Sequence, residues 1–227
     1  MRRAVDVVVV LLSAILSIPL CLIIGLLVLL TMGRPVLFRQ ERAGKDGATF
    51  QILKFRTMRS ATAVRCSDPQ RLTRAGHLLR KSSLDELPQL WNVLRGDMSL
   101  IGPRPTLPSQ VQHYTREQRR RLDVLPGITG WAQVHGRNLL TWPERIELDL
   151  WYIAHRSFRL DLWIILLTVA QLVCPRGIAG AGGVNPGFPQ QDKSPPLGVP
   201  KEDDNSQRKS RTVNRSVENP QQRLPNS

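Results

Sequence analysis

Apolar residues in this chain are concentrated in two runs, and between them they recur at strand or helix spacing. Residues 7–32, VVVVLLSAILSIPLCLIIGLLVLLTM, contain no charge. About 20 such residues cross a hydrocarbon layer, so the run predicts a membrane segment. It is too long for the core of a signal peptide, and no A-x-A-like site follows it. Pro19 near its middle removes a helical hydrogen bond and predicts a kink, which Ser13 and Ser17 are placed to relieve. Two paths are open. One is a kinked spanning anchor. The other is a re-entrant helix-hairpin that bends near Pro19 and returns to the face it entered. Arg2 and Arg3 precede the run, and Arg34, Arg39 and Arg42 follow it. Basic residues stay cytoplasmic, so only the hairpin keeps both clusters there. The second run, LDLWIILLTVAQLV at 160–173, is too short to span. With Asp161 at its start and Trp163 near its edge, it reads as a core helix or an interfacial one.

The middle of the chain is polar and punctuated. Residues 35–41 and 48–55 predict two strands around Gly44-Lys45-Asp46-Gly47, with Asp-Gly as the turn signal. Residues 71–81 and 83–95 predict helices. Residues 97–108 carry three prolines and predict an ordered loop. A basic helix is expected over 109–124, a Gly-rich loop over 126–138, and a helix from Pro143 to about His155, proline being tolerated at the first helical position. The fold class is α+β and mainly helical: a membrane helix over 1–33, then a helical and loop domain with one small hairpin over 34–176. Residues 177–227 are Gly-, Pro- and polar-rich and poor in large apolar residues, which predicts a disordered tail.

Composition changes this picture in two ways. The net charge of the 227 residues is +14. Seven basic and five acidic residues lie beyond position 176, so +12 belongs to the rest. Such a balance suits an anionic membrane surface or phosphorylated substrates. It would also suit nucleic acid, but no nucleic-acid-binding motif occurs. The three cysteines, Cys21, Cys66 and Cys174, are far apart, which excludes a disulfide framework and any zinc spacing. No P-loop and no dinucleotide-binding glycine motif is present.

The pair Asp85-Glu86 is the most suggestive chemistry. Neighbours on a helix point about 100° apart, so these carboxylates cannot flank a substrate as a glycosidase pair does. One can be a nucleophile or metal ligand while the other assists. A plainer reading stands beside it: Ser83-Leu84-Asp85-Glu86 has the spacing of a capping box. Lys54, Arg56, Arg80, Arg104 and Arg137 are candidates for phosphate oxygens, which guanidinium groups match well. Arg104 is held between Pro103 and Pro105 on a stiff backbone. His77, His113, His135 and His155 lack metal spacing and read as structural.

Three strings carry a resemblance: PVLFRQERAGKDGATFQILKFRTM (35–58), LLRKSSLDELPQLWNVLRGDMSLIGPRP (78–105) and PGITGWAQVHGRN (126–138). With Asp149-Leu-Trp-Tyr152 and Leu160-Asp161-Leu162, they resemble the bacterial sugar transferases, the monotopic phosphoglycosyl transferases that act on undecaprenyl phosphate. The likeness covers about residues 1–175; the tail has no counterpart. It implies transfer of a sugar 1-phosphate from a UDP-sugar to undecaprenyl phosphate, with UMP released, at the cytoplasmic face of a bacterial inner membrane. It implies Asp85 as covalent nucleophile, Glu86 as its assistant, and Mg²⁺ held partly by Asp85. Lys54, Arg80 and Arg104 match residues near the phosphates, with Arg137 a further candidate. The re-entrant path is also implied, with Arg3 and Asp6 matching the entry motif. Membrane lipids become partners and nucleic acid drops out; a tail that recruits downstream glycosyltransferases stands beside this as a separate reading that the resemblance does not imply. Two departures stand out: Ile18-Pro19 where a Ser-Pro break is usual, with Ser17 one place earlier, and His135 where Asn is usual.

Overall fold

A computed structural model of the protein describes residues 2–60, 71–136 and 139–173. Arg137 and the tail 177–227 lie outside the described residues. Four strands and seven α-helices are described, so the fold is mostly helical, as the sequence predicts, with very little sheet.

The apolar run forms one long helix, α1 (Arg2–Met32), with Pro19 inside it and Ser17 half-buried. It is long and apolar enough to cross a membrane. Its buried positions are Asp6 and Val10 near one end and Ile24 and Val28 near the other. Multiples of four and a 22-residue separation bring these onto one face of a 3.6-residue helix. Leu12, Ile15, Leu16 and Leu30 are 68–80% exposed. Val10 packs with Ile52, Val93 and Met98. Ile24 and Val28 pack with Phe55 and Leu79. One face of α1 therefore rests on the polar domain near both ends, and exposed apolar side chains run along the rest of its surface.

The hairpin forms around the predicted Asp-Gly turn, with its first strand two residues later than the expected 35–41. Strand β1 (Leu37–Ala43) pairs antiparallel with β2 (Thr49–Phe55), from Leu37 opposite Phe55 to Ala43 opposite Thr49. Asp46 and Gly47 supply the left-handed turn, with φ of 55° and 79°.

Helix α2 (Arg74–Lys81) starts at Thr73, whose hydroxyl accepts from the Gly76 amide at 2.9 Å. Gly76 lies so close to the chain after β2 that a Cβ there would sit 1.9 Å from the Thr57 carbonyl oxygen. The expected helix over 83–95 divides into a 3-10 turn, Leu84–Glu86, and α3 (Gln89–Arg95). Ser83 takes left-handed φ of 58° and makes no side-chain cap. The capping box that its sequence suggests is therefore not formed. Buried Asn92 clamps α3 against β2: its Oδ1 accepts from the Leu53 amide at 3.1 Å, and its Nδ2 donates to the Gln51 carbonyl at 2.8 Å.

The two segments read as loops share a ladder. Strand β3 (Ser99–Ile101) pairs parallel with β4 (Gly127–Thr129). A Cβ on Gly127 would lie 2.1 Å from the Gly102 nitrogen, so only glycine permits this approach. The basic helix expected over 109–124 is also corrected. It is a short α4 (Pro108–Val111) and a 3-10 turn, Gln118–Leu122. The break has a local cause. The Thr115 amide donates to Gln118 Oε1 at 3.0 Å and the Gln118 amide to Thr115 Oγ1 at 3.2 Å, a reciprocal start for a new turn. Tyr114, just before the restart, and Arg121, within the new turn, are both buried.

Three helices complete the fold: α5 (Trp131–Val134), α6 (Trp142–Ala154) and α7 (Phe158–Val173). Proline opens α6 as expected, and Glu144 accepts from the Thr141 amide at 2.8 Å. Ile164 of α7 is fully buried against Ile101 and Tyr152, while Leu162, Trp163, Leu166 and Val169 are exposed. Arg2 joins the start of α1 to Asp161 of α7 at 3.2 Å.

Candidate active site

The 3-10 turn after α2 places Asp85 and Glu86 against β2. It replaces a full helical turn, so the two side chains enter different surroundings. Glu86 Oε1 accepts from Lys54 Nζ of β2 at 2.6 Å and from Arg104 Nη2 at 2.7 Å. Against the cost of burial, Arg104 and Lys54 hold the Glu86 carboxyl far below the usual carboxylate range. The same contacts push the Arg104 guanidinium up, with Glu86 the main cause. Lys54 is pulled down by burial, which outweighs the attraction of Glu86.

Asp85 is 8% exposed. No described residue donates a hydrogen bond to it. Burial first, and then the Glu86 charge beside it, push its carboxyl up to about 6 against the pull of Lys54, Arg104 and Arg80. The two acids are thus separated in chemistry. Glu86 is a fixed anion that holds cations in place. Asp85 is a crowded carboxylate without a partner, the condition of an activated nucleophile or proton carrier.

Of the expected site residues, Lys54, Arg104, Asp85 and Glu86 come together. Arg80 sits at the rim, where its Nε donates to the buried Thr57 hydroxyl at 3.0 Å. Arg3 and Asp6 serve the join between α1 and the domain. Arg3 donates to the Val93 carbonyl, and to the Leu94 carbonyl at 2.7 Å, at the end of α3. Asp6 accepts from the Ser99 hydroxyl at 2.7 Å. Arg56 turns away to the carbonyls of Met58 and Arg34.

Arg42 is the site residue that sequence reasoning missed, having placed it only in the basic cluster after the membrane run. Burial and then the nearby Arg104 lower its guanidinium to about 10, and Glu86 draws it the other way. Its Nε is buried without a hydrogen-bond partner. Strand alternation puts Arg42 and Arg39 on opposite faces of β1, but it does not say which face carries the site. Arg42, Lys54 and Arg104 together surround Glu86 with more positive charge than one carboxylate balances, which suits a multiply charged anion.

His135 packs against Trp131 with ring centroids 3.8 Å apart and the rings tilted by 49°, and it donates from Nδ1 to the Trp131 carbonyl at 2.9 Å. Trp131 stacks on Trp151 at 5.0 Å, and Trp151 on His155 at 4.5 Å. The unusual histidine thus closes one end of a row of four rings, which supports its structural reading.

The family model described as bacterial sugar transferase matches residues 1–175. The chain belongs to this family. Among its relatives in the bacterial sugar transferase family is the uncharacterized sugar transferase EpsL of Bacillus subtilis, 51% identical over 152 residues, which are 66% of this chain and 75% of that one. The UDP-glucose:undecaprenyl-phosphate glucose-1-phosphate transferase of Caulobacter vibrioides is 44% identical over 187 residues, covering 76% and 69%. The Escherichia coli transferase of the same name is 40% identical over 183 residues, which are 74% of this chain and only 39% of that relative. The two relatives named as glucose-1-phosphate transferases are phosphoglycosyl transferases, and this chain is an enzyme of that type.

Proposed function

We propose that the chain transfers a sugar 1-phosphate from a UDP-sugar to undecaprenyl phosphate, giving undecaprenyl diphosphate-sugar and UMP, at the cytoplasmic face of a bacterial inner membrane. The observation that carries this reading is the unpartnered Asp85, raised to about 6 beside a fixed Glu86 and its cations. Relatives with matching names support the substrate pair. In the proposed chemistry an Asp85 oxygen attacks the β-phosphorus of the donor. The bond from that phosphorus to the bridging oxygen breaks, and UMP leaves with the electron pair. A phosphate oxygen of the lipid then attacks the same phosphorus, and Asp85 departs as a carboxylate. Arg104, Lys54 and Arg42 face the charge that builds on the phosphoryl oxygens.

The described residues contain no group of three or more metal-ligating side chains. Mg²⁺ commonly uses one or two carboxylates and takes its remaining ligands from phosphates and water. A single unpartnered Asp85 fits that pattern, as the contact for an ion that arrives with the diphosphate. When bound, Mg²⁺ would neutralise the leaving UMP.

Two assays test the reading. UMP release across a set of UDP-sugars should require undecaprenyl phosphate for turnover. Labelled UMP should also exchange into the UDP-sugar with no lipid acceptor present; absence of that exchange would sink the covalent step. The kcat/KM profile reports the free enzyme, so it should rise with pH through a midpoint near 6, as Asp85 ionises. An acid limb near the ordinary aspartate value would contradict the assigned nucleophile.

The membrane path belongs to the same proposal. Ile52 and Phe55 are three residues apart on β2, about 10 Å at strand rise. Val10 and Ile24, which pack near them, would be about 21 Å apart on a straight helix. A bend near Pro19 reconciles the two spans and returns the chain to one leaflet. Cysteines placed at Ala4 and at Arg39, in a chain whose own cysteines are changed to serine, should react with an impermeant maleimide in inside-out vesicles only. Labelling at position 4 in intact cells would establish a spanning anchor instead.

A further inference from the structure

The most deeply buried charges in the described residues lie behind Arg104. The side chains of Arg121 and Asp149 are each 2% exposed. Arg121 donates from Nε and Nη2 to Asp149 Oδ2 at 3.0 and 2.6 Å, and from Nη1 to the Tyr114 hydroxyl. Its Nη2 also reaches the Arg104 carbonyl at 3.3 Å. The Tyr114 hydroxyl donates to Thr106 Oγ1 at 3.2 Å.

These contacts have a reason in the loop's own sequence. Pro103 and Pro105 have no N–H, so the segment cannot be secured by its own donors. Four successive carbonyls are each held from elsewhere. The Gly127 amide donates to Pro103 at 2.9 Å, Arg121 to Arg104, Arg42 to Pro105 at 3.3 Å, and the Ala43 amide to Thr106 at 2.9 Å. The Arg104 carbonyl takes a donor from a fully buried ion pair. Such a pair is a poor way to add stability, because desolvation consumes most of its attraction. What it does well is fix a planar fork in one direction.

We infer that Arg121, oriented by Asp149 and Tyr114, is a positioning residue that fixes the Arg104 backbone and so sets the Arg104 guanidinium on Glu86. This rests on the proposed reaction only for its catalytic consequence; the geometric claim stands alone. Arg121→Lys keeps the charge opposite Asp149 but lacks the fork that reaches the Arg104 carbonyl. Tyr114→Phe removes one hydroxyl and leaves the ion pair in place.

The test uses the full chain in lipid nanodiscs. Each variant is made alone and combined with Arg104→Ala. Arg121→Lys and Tyr114→Phe should lower kcat/KM per folded molecule by about tenfold or more, as small misplacements of catalytic groups do. In the Arg104→Ala background the same changes should have no further effect beyond about twofold. A purely structural role would reduce the folded fraction equally in both backgrounds, and equal losses would overturn the inference. Hydrogen exchange gives a readout that needs no substrate. The amides of Ile101, Gly102, Arg104 and Thr106 should exchange faster in Tyr114→Phe, while the β1–β2 ladder keeps its protection. Unchanged exchange in that segment would overturn the inference even if the wild-type chain released no UMP. Wild-type inactivity by itself would count against the proposed reaction.

Discussion

Asp85→Asn is expected to stabilise the protein near neutral pH while it abolishes transfer. The Asp85 carboxyl moves from an ordinary 3.8 to about 6 on folding. A carboxyl raised by folding favours the fold while protonated, and this advantage is lost as pH rises through its folded value. Above about pH 6 the fold therefore holds an ionised, buried carboxylate with no hydrogen-bond donor among the described residues. Roughly two units correspond to about 3 kcal/mol. Asparagine has the same shape and no charge, so it should recover up to that amount at about pH 7 and almost nothing at about pH 4. For a domain of this size the gain corresponds to about 6–12 °C in the unfolding midpoint. Thermal unfolding of detergent-solubilised wild-type and variant chains at the two pH values measures it. UMP release should fall by about a thousandfold or more, the scale seen when a covalent nucleophile is removed. A variant that is inactive and less stable at neutral pH would show that Asp85 supports the fold and carries no stored strain. Stability and activity opposed at one residue is the pattern expected of a site built for reaction.

The same turn shows what the sequence can and cannot reveal. The Ser83–Glu86 spacing matches a capping box, yet Thr141–Glu144 is where Glu accepts from the cap amide. The letters are alike, and the outcome depends on competitors. Glu144 faces solvent and has only its own helix start to bind. Glu86 has Lys54 and Arg104 within reach, and two cations outcompete one backbone amide. Those cations come from 32 residues before and 18 residues after it in the chain, so no local pattern records them. The β3–β4 ladder was hidden for a similar reason. Gly and Pro read locally as loop, but Gly102 and Gly127 are there because two backbones touch. The long apolar run, the hairpin and the proline-initiated α6 were legible because their causes are local. Arg42 and Arg121 were not, because an arginine's burial is decided by what packs over it.

Charge now divides into three uses. Arg3 closes the end of α3, and Arg121 with Asp149 holds a loop. Arg42, Lys54 and Arg104 form a cluster whose positive charge exceeds that of Glu86. The first two uses are met within the fold. The third is in surplus within the fold, and a diphosphate donor of the kind proposed would balance it.

Glu86→Gln should move stability in the opposite direction from Asp85→Asn, although the two residues are adjacent. Glu86 takes Lys54 and Arg104 on one oxygen, at 2.6 and 2.7 Å. Its carboxyl is lowered by the fold, so its contribution is present above the ordinary glutamate value and is lost only as pH falls through the depressed one. Glutamine leaves both cations uncompensated at neutral pH. Removing one partner from a buried pair costs about 3–5 kcal/mol. The Arg104 side chain is 41% exposed, so water screens part of that loss and the lower figure, about 3 kcal/mol, is expected. The unfolding midpoint should fall by about 6–12 °C at neutral pH, and a midpoint at or above the wild-type value would refute the assignment of Glu86 as the anchor of the cluster. The variant also tests Asp85. Loss of the neighbouring negative charge, with two cations released towards Asp85, must lower its carboxyl from about 6. Residual UMP release should therefore show an acid limb displaced to lower pH. The pair of adjacent carboxylates works because one is satisfied and the other is not, and exchanging Glu86 for its neutral isostere should erase that difference.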